Sequence, residues 1–258
     1  MTWNVLFGGE DRMDRILELV ARVKPDLLVL QECLDWDDRA RLRAVAGAMN
    51  IPDDDTHAHL ALARPRGSGK RYHVAVLSRA PSELVAVHAN PSLIGHCIAE
   101  LRLLLDQPVR VFGAHFDSHS ENLRFVEARY LRSVIVARAF ASDRFLLAGD
   151  LNALSRRDPY PVDLADRVAR AGVDKYGHPP RFEVIEELES FGWVDTLRAH
   201  ENTSEWITAE RDRGGVHIDY RTDYVFTSPA LAAKLNRVEV IRADNASDHH
   251  ALVAYFSE

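Results

Sequence analysis

Apolar runs that end abruptly on polar residues recur along the chain and fix its reading. The clearest is Phe145-Leu146-Leu147-Ala148-Gly149-Asp150-Leu151-Asn152. Uninterrupted apolar residues of this kind fit a strand covered on both faces, which delivers its C-terminal end to a site. Asp150 and Asn152 share one side in extended backbone; read alone, the tetrad is equally a turn. Asp26-Leu27-Leu28-Val29-Leu30-Gln31-Glu32 repeats the pattern and ends on an acid, while Thr2 to Phe7 is a β-prone run closed by Gly8-Gly9 with Asn4 inside it. Helical spacing predicts helices over Asp11 to Lys24, Asp38 to Met49 and Ser120 to Ala141, with shorter ones over Leu164 to Ala171 and Phe182 to Phe191.

Between the helices the period changes. Strands are predicted over His57 to Ala63, Tyr72 to Ser78, Glu83 to His88, Cys97 to Leu104 and Val109 to His115, joined only by loops and therefore antiparallel. Two more follow, over Thr222 to Ser228 and Ala251 to Phe256. Strands interleaved with helices, then a meander, then the same arrangement again predict two packed sheets with helices outside.

Composition narrows this to one soluble domain over residues 1–258, with 47% hydrophobic residues and no linker or repeat. No apolar run approaches a membrane span and no signal pattern opens the chain, so the expectation is a cytoplasmic protein without membrane insertion. Cys33 and Cys97 form no disulfide framework or metal spacing. A net charge of −7 argues against a protein that coats nucleic acid, yet an acidic metal site beside a basic groove would carry the same charge.

The candidate chemistry sits where strands end. Glu32 is costly there unless a cation or hydrogen-bond donors meet it; it is either a metal ligand or a capping acid. Asn4 either satisfies neighbouring backbone or serves a site. His115 closes a strand, and Ser247-Asp248-His249 precedes one, where a carboxylate can orient an imidazole. Arg71 ends the basic connector Arg64 to Arg71, which is either a phosphate-facing loop or a solvated hairpin tip. Arg156 and Arg157, just beyond Asn152, either meet substrate charge or face water.

The ordered set Trp3-Asn4, Gln31-Glu32, Ala114-His115, Gly149-Asp150-Leu151-Asn152, Thr222-Asp223-Tyr224 and Ser247-Asp248-His249 resembles the endonuclease/exonuclease/phosphatase superfamily over nearly the whole chain. The resemblance implies an α/β fold, a four-layer α/β/β/α sandwich of two mixed sheets flanked by helices. It implies a phosphodiester or phosphomonoester hydrolase using Mg²⁺ or Mn²⁺, with Glu32 as principal ligand helped by Asn4 and Asp248. Asp150 would orient or deprotonate the attacking water, Asn152 would bind the phosphate, and His249, polarised by Asp223, would act as base or donor. His115 would be a second phosphate donor and general acid.

Departures from the family bear on substrate. Leu6 stands where its nucleases often carry an acid; the stretch Ser204 to Arg213 is charged with one aromatic where abasic-site enzymes are aromatic-rich; and no long hydrophobic hairpin suggests a lipid surface. The expected partner is a phosphate ester, nucleic acid among the options, with no obligatory protein partner. A DNA or RNA nuclease is the narrower alternative; a non-catalytic binding module on the same fold is the remote one.

Overall fold

The computed structural model describes residues 1–65, 69–138, 144–200 and 205–257. Arg66 to Ser68 of the basic connector, the end of the helix predicted to Ala141, and Ser204 lie outside the described residues. The strands are β1 (Thr2–Asn4), β2 (Leu27–Cys33), β3 (Ala58–Ala61), β4 (His73–Ser78), β5 (Ser82–His88), β6 (Cys97–Leu103) and β7 (Val109–His115). They continue with β8 (Phe145–Asp150), β9 (Val194–Asp195), β10 (Ala209–Arg213), β11 (Val216–Tyr220), β12 (Asp223–Thr227), β13 (Leu235–Ile241) and β14 (Ala251–Phe256). The helices are α1 (Met13–Val23), α2 (Ala40–Met49), α3 (Glu121–Arg138), α4 (Leu164–Arg170), α5 (Glu183–Glu189), α6 (Thr196–Ala199) and α7 (Pro229–Ala232).

Two six-stranded sheets form, in the orders β13-β14-β1-β2-β4-β3 and β5-β6-β7-β8-β12-β9. Both are mixed: β1 runs parallel to β2 and β7 parallel to β8, while their other neighbours are antiparallel. Val29, Val74 and Val76 of one sheet meet Ala99, Leu101, Val111, Ala148 and Val225 of the other in a shared apolar layer. Leu19, Leu42 and Val45 of the first helices cover the outer face of one sheet. Ala128, Leu131, Ile185 and Leu188 from α3 and α5 cover the other. The expected four-layer sandwich is therefore observed. The strands predicted as apolar on both sides, β2 and β8, are buried on both sides, as are β4 and β12.

Three details differ from the sequence reading. The strand predicted from Thr2 to Phe7 stops at Asn4, because Leu6 and Phe7 take φ of 51° and 49°, and a 3₁₀ turn spans Phe7–Arg12. The meander is split between sheets: β4 pairs with β2 and β3, whereas β5 pairs with β6. Four strands lie outside the sequence reading: β9 has two residues, β10 is strongly charged and β13 alternates only in part, whereas β11, Val216-His217-Ile218-Asp219-Tyr220, does carry a period-two signal. Among the described residues, no helix is long and apolar enough to cross a membrane.

Candidate active site

Parallel pairing aligns the ends of the central strands. Asn4 pairs with Gln31 and His115 with Asp150 in parallel, and Asp150 pairs with Asp223 at the start of antiparallel β12, so four strand ends carry their polar residues to one edge of the sandwich. Glu32 arrives by a bulge: the register between β2 and β4 shifts between Leu30 and Cys33, and Glu32 adopts φ 57°. Such a bulge re-aims a side chain that regular pleating would send elsewhere. At Gly149 an added Cβ would lie 1.9 Å from the Ala114 carbonyl oxygen, so only glycine lets β8 lie against β7 at this point.

Asn4 ties the acids together. Its buried Nδ2 donates to Glu32 Oε1 at 3.1 Å and to Asp150 Oδ2 at 3.0 Å, while its Oδ1 accepts from the Leu6 amide. Expected as a metal-ligand helper, Asn4 here braces the two carboxylates. Glu32 Oε2 also accepts from the Phe7 amide, and burial raises the Glu32 pKa despite these donors. Burial pushes the Asp150 pKa up as well, but the positive charge of His249 first, then Lys175 and the protonated form of His115, outweigh it and hold Asp150 below the ordinary value.

His249 lies between two carboxylates. Its Nδ1 is 2.8 Å from Asp223 Oδ2 and its Nε2 is 3.9 Å from Asp150 Oδ2. Burial lowers its pKa, yet Asp223 and then Asp150 raise it to about 10. His115 is opposite in character: burial lowers it to about 4, its Nε2 is 3.9 Å from Asp150 Oδ2, and neither ring nitrogen finds a hydrogen-bond partner. Asp223 Oδ1 and Asp248 Oδ1 are likewise buried without partners. Buried acceptors left open beside ionised groups mark a place where a ligand completes the bonding.

The donor set fits a hard divalent cation. Ligand-type atoms of Asp150, Asp223 and His249 lie within 4.8 Å of one another, and Glu32 adjoins Asp150 through Asn4. His249, protonated between its two carboxylates, offers no lone pair to a metal, so the donors are the carboxylates. Carboxylate oxygens suit Mg²⁺ or Mn²⁺ better than a thiolate-seeking metal, and both cysteines are buried in apolar core.

One cation at the site carries no sequence signal. Lys175, between α4 and α5, donates from Nζ to Asn152 Oδ1 at 2.8 Å. Burial lowers its pKa to about 8, opposed first by Asp150. Its main chain is anchored by the buried Arg124, which bonds Lys175 O and pairs with Glu121 at 2.6 Å. Asn152, at φ 50°, also donates to Phe116 O at 3.3 Å. The three arginines singled out from sequence each have an acidic partner outside this cluster. Arg156 pairs with Glu186 at 2.6 Å and Arg157 with Glu189 at 3.1 Å, both exposed against α5. Arg71 pairs with Asp37 at 2.9 Å.

Beneath β12 lies a second polar cluster. The buried Arg221 donates to Asp158 at 2.9 Å and bidentately to Asp195 at 2.9 and 2.6 Å. Thr208 Oγ1 accepts from the amides of Thr222 and Asp223. Together these hold the start of β12, and hence Asp223.

A family model described as "Endonuclease/Exonuclease/phosphatase family" matches residues 1–249. Comparison with curated proteins returns no match. Among solved structures, the 3′ phosphatase NExo from Neisseria, bound to a product DNA hairpin, is 22% identical with a TM-score of 0.69, covering 100% of this chain and 98% of that one. An AP endonuclease from Archaeoglobus fulgidus is 19% identical with a TM-score of 0.66 and the same coverage, 100% and 98%. A family protein from Leptotrichia buccalis is 18% identical with a TM-score of 0.67, again covering 100% and 98%. At these identities the likeness is one of fold.

Proposed function

The chain belongs to the endonuclease/exonuclease/phosphatase family, and from that premise we propose that it is a divalent-metal-dependent hydrolase of a phosphodiester or phosphomonoester, acting by in-line attack of water. The observation that carries this reading is the meeting of Glu32, Asp150, Asp223, His249 and His115 at one strand edge, with acceptors left open. A cation held by Glu32 with the help of Asp248 would offset charge on the phosphate and leaving oxygens.

The remaining work falls to the protein. Asp150, held ionised, takes the proton of the attacking water; His249, held as an imidazolium, is a donor to the phosphoryl oxygens rather than the base. His115 is neutral near pH 7 and suits a hydrogen-bond donor better than a general acid. Asn4 keeps Glu32 and Asp150 at a fixed spacing, and Lys175 adds positive charge beside Asn152. Positioning and electrostatics supply most of the rate in such sites.

Bis-p-nitrophenyl phosphate, p-nitrophenyl phosphate, single- and double-stranded DNA, RNA and a phospholipid head-group ester, each with Mg²⁺, Mn²⁺ or EDTA, form the test. EDTA-sensitive cleavage that is lost in Glu32→Ala and His249→Ala supports the reading; full activity in either variant sinks the residue roles. A nuclease is the narrower reading, favoured by the likeness to the Neisseria 3′ phosphatase with its bound DNA hairpin and to the Archaeoglobus AP endonuclease. It predicts cleavage that falls steeply with salt. Turnover of small esters with none on nucleic acid rejects it.

A further inference from the structure

Phe7 stands beside the site on a backbone that a regular strand would not produce. From Leu6 to Glu10, φ is positive at five successive residues, 51°, 49°, 72°, 83° and 41°. Gly8 and Gly9 accept such values freely, but Leu6, Phe7 and Glu10 do not. The turn is strapped from several sides. A Cβ at Gly8 would lie 2.1 Å from the Leu34 carbonyl oxygen, and the buried Trp36 donates to Gly8 O at 3.0 Å. Arg12 donates to Leu6 O at 2.6 Å, and the Phe7 amide donates to Glu32 Oε2 at 3.0 Å. The product is an aromatic ring left 39% exposed on the shoulder of Glu32. A single exposed apolar residue is ordinary. A strained one, braced against a candidate metal ligand, is a functional pointer.

The ring begins a series. Its centroid is 6.2 Å from that of Tyr72, Tyr72 meets His96 edge-on at 5.5 Å, and His96 stacks on His115 at 4.0 Å with 9° between planes. The four rings thus run along one flank of the site, from Glu32 to His115. Their far end is pinned as firmly as the near one: the buried Glu127 of α3 accepts from the amides of Gly95 and Asp117 at 2.7 and 2.8 Å. Lys70 Nζ lies 5.4 Å from the Phe7 centroid, which brings a cation to the outer end of the series.

We propose that Phe7, Tyr72 and His96 form a binding subsite for a planar heteroaromatic ring carried by the substrate, a nucleobase, with Phe7 as the stacking face and Lys70 meeting an adjoining phosphate. The proposal rests on the phosphoesterase reading, because it places the scissile phosphate at the Asp150 and His249 edge. Aromatic rings bind bases of any sequence through their faces, and removing one such contact weakens binding by roughly 5- to 150-fold. A ring next to a phosphate-binding centre and a lysine is the combination that a nucleotide satisfies and a sugar phosphate does not.

Calorimetric titration of the full chain, in EDTA so that no turnover occurs, compares adenosine 5′-monophosphate with ribose 5-phosphate. The two probes carry the same phosphate and sugar. We expect the nucleotide to bind at least about tenfold more tightly to the wild-type protein. Phe7→Leu, which keeps apolar bulk without a ring, is expected to equalise the two, and Phe7→Trp to preserve the preference. Equal affinities in the wild type, an unchanged preference in Phe7→Leu, or no nucleotide binding at millimolar concentration would each overturn the proposal. Hydrolysis of bis-p-nitrophenyl phosphate with Mn²⁺, run in parallel, fails only if the phosphoesterase reading itself fails. Unfolding curves for the variants confirm that the fold survives.

Discussion

Two buried polar clusters lie at the start of β12, one on either side of Thr222, and they are built on opposite plans. In the first, Arg221 satisfies both Asp158 and Asp195, Arg198 adds a 2.7 Å bond to Asp158, and the guanidinium packs 4.3 Å from the centroid of the Tyr224 ring. In the second, His115, Asp223 and Asp248 keep buried atoms without partners, and the pKa values of Asp150, Asp223, His249 and His115 are displaced in both directions. Closed bonding is what a fold needs, since a buried charge without a partner is costly. Open bonding is what a site needs, since a ligand supplies the rest. The difference separates structure from function between residues adjacent in sequence.

Breaking the open cluster is expected to have the largest effect, and on activity alone. Glu32→Ala removes a carboxylate whose pKa burial already raises, so the fold disfavours its charge. Metal-stimulated cleavage should fall by about 10³-fold or more, the scale of losing a main electrostatic stabiliser. The unfolding midpoint in EDTA should stay level or rise. A clear fall in that midpoint would move Glu32 to the structural side of the comparison.

Breaking the closed cluster should do the reverse. Arg221→Leu leaves Asp195 buried without its ion pair and Asp158 with Arg198 alone, which costs on the order of 3–5 kcal/mol by chemical denaturation. Where the variant still folds, residual turnover per folded molecule should change far less than in Glu32→Ala. Retained stability would show that water or neighbouring donors replace the guanidinium, and the contrast between the clusters would lose its basis.

Lys175 sharpens the comparison because it belongs to the open cluster by contact, yet its main chain is anchored by a separate buried ion pair, Arg124 with Glu121. Lys175→Met should reduce kcat/KM by roughly 10- to 100-fold, the worth of one or two charge-assisted hydrogen bonds. Its amine, pulled down to about 8 by burial, loses its charge as pH rises through that value. The wild-type kcat/KM should therefore decline above about pH 8, and Lys175→Arg, which stays cationic, should shift that decline to higher pH. An alkaline limb unchanged in Lys175→Arg would show that another group sets it.

The same comparison explains what the sequence disclosed. Strand ends announced themselves because an apolar run cannot absorb a terminal acid without a reason, so Glu32 and Asp150 stood out, and Asp248-His249 did so as a pair. The two packed sheets followed from strands interleaved with helices around a meander, and their four-layer order from the family resemblance. Lys175 gave no warning: it sits in Asp174-Lys175-Tyr176 between two helices, and only the anchoring by Arg124, distant in sequence, brings it to Asn152. Phe7 was read as the end of a strand because nothing local records that Leu34 O and Trp36 would force the turn. Position in the chain carries periodicity well and long-range anchoring not at all.

The smallest effect is expected where sequence proximity was most suggestive. Arg156 and Arg157 follow Asn152 closely, which made them candidates for substrate charge. Both instead lie half or more exposed, at 65% and 52% of the side chain, and meet glutamates of α5. Exposed pairs of this kind contribute about 0–1 kcal/mol each because water screens them and the long side chains lose freedom. Arg156→Ala and Arg157→Ala should therefore lower stability by less than about 1 kcal/mol. They should change kcat/KM for a small phosphate ester by less than about twofold, as expected for surface changes away from a site. Measured on a nucleic acid over a range of salt, the two variants should keep the wild-type slope, since a guanidinium already paired with Glu186 or Glu189 releases few counterions on binding. A slope reduced by about one in either variant would mean that the α5 pairs open for the substrate. The mouth of the site would then count as a third region, closed in the free protein and open in the complex.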